Sequence, residues 1–130
     1  MRGLFSMSAI ITLSFFGQTE AALNFYQDVL GCEILYLMRF KECPDESFCK
    51  SDNEDLIFHT TFRIHGTEFK ASDVGYDEFD SPQFDGFAIL LNPSSVDQAQ
   101  RTFEALAEHG QIIIPFAESS FAGWYGIVKD

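Results

Sequence analysis

Two amphipathic segments recur at a fixed interval in this chain: Ala99 lies 77 positions after Ala22, and Phe103 lies the same distance after Tyr26. Each segment is preceded by an apolar run and followed by a glycine and a further apolar run, so one supersecondary unit is used twice. In the first copy, residues 9–16 (AIITLSFF) alternate around Thr12 and Ser14 as a half-buried strand does, and Gly17 ends them. A helix follows from Thr19 to Leu30, with Ala22, Phe25, Tyr26, Val29 and Leu30 on one face and Gly31 as its stop. Residues 32–40 (CEILYLMRF) read as a strand, and residues 56–64 and 67–73 read as a hairpin turning at His65 and Gly66.

The second copy begins with a strand at residues 87–91. A capped helix at residues 95–109 buries Val96, Ala99, Phe103 and Leu106, and strands follow at 111–116 and 124–129. The expected architecture is one α+β domain over residues 1–130, made of a βαβββ module (8–73) and a βαββ module (85–130). The second module lacks a last strand, which would leave an unpaired sheet edge open to another chain.

With 46% hydrophobic residues, including 15 Phe, 130 residues suffice for one core. The 20 acidic residues outweigh 8 basic ones, which argues against nucleic acid and anionic membranes as partners. Acidic residues crowd into stretches 41–55 and 73–85, read as solvated loops because the acid spacing and central glycine of a calcium loop are missing. Three cysteines, Cys32, Cys43 and Cys49, make a poor disulfide framework and point to a reducing, cytoplasmic setting. Arg2, the apolar run 4–16 and Ala21–Ala22 have the outline of a secretory signal, but cleavage near Ala21 would cut the first helix. No segment is long enough to span a membrane.

The segments GQTEAALNFYQDVLGCEIL (17–35), IFHTTFRIHG (57–66), FKASD (69–73) and FAGWYGIVKD (121–130) together resemble the vicinal oxygen chelate superfamily, which contains the glyoxalase, bleomycin-resistance and extradiol dioxygenase proteins. The resemblance is strongest to its PhnB-like branch. It implies paired βαβββ modules forming a half-barrel, and pairing of modules between chains in a homodimer. It also implies a divalent metal held by His or Glu side chains on the first and last strand of each module. At the corresponding positions this chain offers Ile11, Thr12, Leu13 and Ser14, then Gly86, Phe87 and Ala88, and Ser72 and Asp73 where a Glu is expected. These do not make a complete metal site.

Strand parity locates a cavity independently. On residues 56–64 one face carries Phe58, Thr60, Phe62 and Ile64, and the other carries Ile57, His59, Thr61 and Arg63. The more polar face should be concave, joined by Thr12 and Ser14. Ser72, Asp73 and Trp124 complete the candidate ligand-binding set. For His59 the plainer reading is a hydrogen bond to a neighbouring strand, and for Trp124 and Tyr125 a core or wall position rather than stacking on a planar ligand.

Cys43, Cys49, His59 and His65 have zinc-ligand chemistry but the wrong spacing, since His59 and His65 would lie about 20 Å apart on an extended strand. Ser119 and Ser120 lack a nearby His, Glu118 reads as a surface carboxylate with general base as the alternative, and no glycine-rich phosphate loop is present. The favoured function is a small-molecule-binding module for an aromatic or amphiphilic compound, without a complete metal site. The alternatives are a metal-dependent lyase, isomerase or dioxygenase of the glyoxalase type, and an assembly role completed by a partner.

Overall fold

The computed structural model describes residues 7–78, 83–121 and 123–130. It resolves two compact units, Met1–Gln83 and Phe84–Asp130. The α+β class holds, with two α-helices and two sheets among the described residues.

In the first unit the order is β1 (Thr12–Ser14), α1 (Thr19–Leu30), β2 (Glu33–Arg39), β3 (Ile57–Ile64) and β4 (Thr67–Ser72). The sheet runs β1-β4-β3-β2, with β1 parallel to β4 and the other pairs antiparallel. The β3–β4 hairpin turns at His65 (φ 45°) and Gly66 (φ 87°), two left-handed residues whose twist suits a tight hairpin. Helix α1 ends on Gly31 (φ 64°), whose N–H donates to Gln27 O while the Cys32 N–H donates to Tyr26 O.

Helix α1 packs on β3, and the core beneath it is Leu13, Leu23, Leu30, Ile57, Phe62, Ile64, Phe69 and Ala71. Two expectations change here. The centre of the buried helix face is Leu23 with Thr19, while Ala22, Phe25, Tyr26 and Val29 are only half-buried flanks. On β3 it is Ile57, not Phe58, that is buried with Thr60, Phe62 and Ile64. A bulge explains this: Met38 pairs with His59 but Arg39 pairs with Ile57, so Phe58 is the extra residue and parity inverts across it.

The first acidic stretch is more ordered than a plain solvated loop. It contains 3-10 turns at Phe40–Glu42 and Glu46–Phe48, and buried Asn53 accepts from the Lys50 N–H and donates to Phe48 O. Phe40 and Phe48 both pack on Phe58, and Tyr76 from the second stretch packs on Phe40 and donates to Asp52. Residues 79–82 of the second acidic stretch lie outside the described residues, as do Arg2 and the start of the apolar run 4–16.

In the second unit α2 (Val96–Ala107) starts on Ser95, whose hydroxyl accepts from the Gln98 N–H. Both helices are twelve residues long, and Val96 follows Thr19 by 77 positions. Strands β5 (Gln111–Ser119) and β6 (Gly123–Lys129) form an antiparallel pair. β5 runs beyond its expected end at residue 116, with a register shift between Ile114 and Ala117 that accommodates Pro115.

No described residue of this unit is fully buried: Ala99, Phe103 and Leu106 of the expected helix face are half-buried, and only Val96 departs from it by being exposed. Residues 87–91 do not form the expected strand. In the first unit β1 is held by β4 alone, and the described residues of the second unit contain no counterpart of β4 for residues 87–91 to pair with.

At Gly126 α2 packs tightly on the hairpin: a Cβ there would lie 2.8 Å from the Phe103 ring and 3.0 Å from Phe116 Cα. Gly126→Ala is expected to destabilise this unit by about 1–3 kcal/mol through overpacking. Urea denaturation followed by the fluorescence of Trp124, the single tryptophan, reads that change directly. An unchanged midpoint would mean that the Phe103 ring moves aside without cost.

Candidate functional site

The open side of the four-stranded sheet, opposite α1, follows from the strand registers, because directly paired residues project to the same side. One row crosses all four strands: Thr12 pairs with Lys70, Lys70 with Thr61, and Thr61 with Tyr36. Beside it, Ser14 pairs with Ser72 and His59 with Met38, and at one end Arg63 lies between Glu33 and Glu68. Thr12, Ser14 and Tyr36 are exposed; Met38, His59, Thr61, Arg63, Lys70 and Ser72 are half-buried.

Five of the residues expected from sequence therefore share one face: Thr12, Ser14, His59, Thr61 and Arg63. Ser72 shares it too, but its hydroxyl is committed within the fold, donating to Phe58 O (2.7 Å) and accepting from the Val74 N–H (2.9 Å).

Asp73 has a different task from ligand binding. It is fully buried, and its Oδ1 accepts from the Gly17 N–H (2.9 Å), the Thr19 N–H (3.1 Å) and the Thr19 hydroxyl (2.5 Å). Its Oδ2 accepts from the Ile57 N–H (3.0 Å). One carboxylate thus caps α1, whose own Gln18 offers no side-chain cap, and anchors the start of β3. Trp124 belongs to the second unit, where it packs on Phe116 with ring centroids 5.4 Å apart. Glu118 is exposed on β5 opposite Trp124.

Sequence reasoning missed Tyr36, Met38 and Lys70. The signal was available, since a two-residue turn at His65 and Gly66 pairs Ile64 with Thr67 and hence Thr61 with Lys70. The rings of Tyr36 and His59 lie 5.8 Å apart. Burial, and then the ammonium of Lys70, hold the His59 imidazole below its usual 6.5, so it is neutral at pH 7 and can accept as well as donate. Lys70→Gln should raise the His59 titration midpoint, as followed by imidazole C–H chemical shifts. A midpoint that falls or stays would show that the charge does not reach the ring.

The donors do not fit a divalent metal. Among the described residues no three His, Cys, Asp or Glu side chains come together, and Asp73 is fully engaged by backbone and hydroxyl donors. Cys43, Cys49, His59 and His65 make no such cluster either. Among the described residues no helix is long and apolar enough to cross a membrane.

A profile of the family described as "3-demethylubiquinone-9 3-methyltransferase" matches residues 7–130. The Escherichia coli K12 protein YjdN is 30% identical over 126 residues, covering 91% of this chain and 84% of its own. Among solved structures, protein PA1353 from Pseudomonas aeruginosa superposes with a TM-score of 0.80 at 27% identity, over 96% of this chain and 90% of that one. A Bacillus cereus PhnB protein, titled a putative 3-demethylubiquinone-9 3-methyltransferase, gives a TM-score of 0.78 at 23% identity, over 95% and 92%.

Proposed function

We propose that this chain, which belongs to the family described as "3-demethylubiquinone-9 3-methyltransferase" and which we read as PhnB-like, binds a small molecule on the open face of the four-stranded sheet without a metal. The observation that carries the reading is the row Thr12–Lys70–Thr61–Tyr36 with His59 and Met38 beside it. A few polar groups set among apolar and aromatic side chains are the make-up of a small-molecule site. The fold we assign is that of the vicinal oxygen chelate superfamily, with two related modules. The absence of any fully buried residue among those described in the second unit supports a homodimer that covers it. An odd cysteine count supports a cytoplasmic setting.

Methyl transfer, the activity in the family description, is not part of this reading: at the N-terminus of α1, where helix N–H groups could otherwise meet an anionic ligand group, those of Gly17 and Thr19 are taken by Asp73.

The test is a titration of the ¹⁵N-labelled full chain with small aromatic and amphiphilic compounds, run beside metal analysis and thermal shift with nickel, zinc, manganese and iron(II). Shifts clustered at Thr12, Ser14, Tyr36, His59, Thr61 and Lys70, with no stoichiometric metal, are expected. Shifts confined elsewhere would sink the open-face reading. A specific metal-dependent rise in melting temperature would instead favour the glyoxalase-type enzyme.

A further inference from the structure

The chain carries a formal charge of −12, and in the first unit nearly every described cation is neutralised locally. Arg39 pairs with Glu20, Lys41 with Asp55, Lys50 with Asp77, and Arg63 with both Glu33 and Glu68. Lys70 is the exception: among the described residues no carboxylate pairs with it. It stands in the middle of the open face, with the Thr12 and Thr61 side chains opposite it on the two flanking strands. No acidic residue shares its row, and the two that share its face, Glu33 and Glu68, are drawn to Arg63.

We infer that the ligand of this face carries a carboxylate-type anionic group. The group is seated on Lys70 between the hydroxyls of Thr12 and Thr61, and a planar apolar part lies over Tyr36, His59 and Met38. This deepens the open-face reading proposed above and rests on it. An ammonium supplies charge-assisted donors and each threonine hydroxyl a further donor, a complement for the two oxygens of a carboxylate. The ring pair Tyr36–His59 and the thioether of Met38 supply a surface for a flat hydrocarbon part. In so acidic a protein the bulk field repels anions, so a cation kept free of carboxylates gives selection for a short-range, well-fitted anion over non-specific counter-ion capture.

Benzoate and its neutral counterpart benzamide, titrated into the ¹⁵N-labelled full chain and into its Lys70→Gln variant, test this. The expected result is that benzoate shifts the amides of Thr12, Thr61 and Lys70 and that Lys70→Gln weakens it about tenfold or more. Benzamide, which has no charge to lose, should weaken far less, and unchanged amide shifts of Thr12, Tyr36 and His59 in the ligand-free variant show that it keeps the face intact. If benzamide binds as well as benzoate and both are indifferent to Lys70→Gln, the anion assignment is overturned while the open-face site stands. Failure of both compounds to perturb this face in the unmodified protein would overturn the assignment and count against the site itself.

Discussion

Asp73→Ala is expected to lower the stability of the first unit by about 3–5 kcal/mol, because it removes a buried carboxylate on which four protein donors converge. The four come from three places in the chain: the turn before α1, the first residue of α1 and the first residue of β3. Asp73 also makes one backbone bond to the same residue, its N–H donating to Ile57 O at 2.8 Å. Truncation leaves the N–H groups of Gly17, Thr19 and Ile57 without this acceptor, the last two of them buried. Asp73→Asn keeps the shape but replaces one acceptor oxygen by a donor, so one or more N–H groups still face a donor, and about 1–3 kcal/mol should be lost. Urea denaturation by far-ultraviolet circular dichroism gives the totals, and amide exchange at Thr19 and Ile57 shows whether the loss is local. Wild-type stability in the Ala variant would mean that the carboxylate is not the fastener described.

Leu23→Ala is the second large effect, at about 2–5 kcal/mol, since Leu23 is 1% exposed at the centre of the α1 interface. The informative control is Phe25→Ala. Phenylalanine is the larger side chain, yet Phe25 is only half-buried on the flank, so its removal should cost clearly less than that of Leu23. The opposite order would restore the expected face of Ala22, Phe25, Tyr26, Val29 and Leu30 and displace the packing described for this unit.

That contrast shows where sequence reading reached its limit. In the first unit the element order, the bounds of α1 and the sharing of one face by Thr12, Ser14, His59, Thr61 and Arg63 were legible, because alternation and glycine stops carry them. The centre of the helix face was not, because Ala22, Leu23, Phe25, Tyr26, Val29 and Leu30 form an apolar stripe wide enough to hide its midline. The bulge at Phe58 was invisible for a related reason: alternation cannot report the residue at which it is broken. Asp73 looked like a ligand because only the folded chain brings Gly17, Thr19 and Ile57 to it. The strand expected at residues 87–91 has the right composition but no partner strand among the described residues, and a strand is defined by its partner.

The pairing of β1 with β4 also sets a timetable. Thr12 leaves the ribosome first but finds its ladder partner only at Lys70, 58 positions later. At about 5–20 residues per second, that is a delay of several seconds. The β3–β4 hairpin closes within microseconds of being made. The strand β1 therefore spends those seconds without its ladder partner, and the sheet cannot be completed until its last strand has been made.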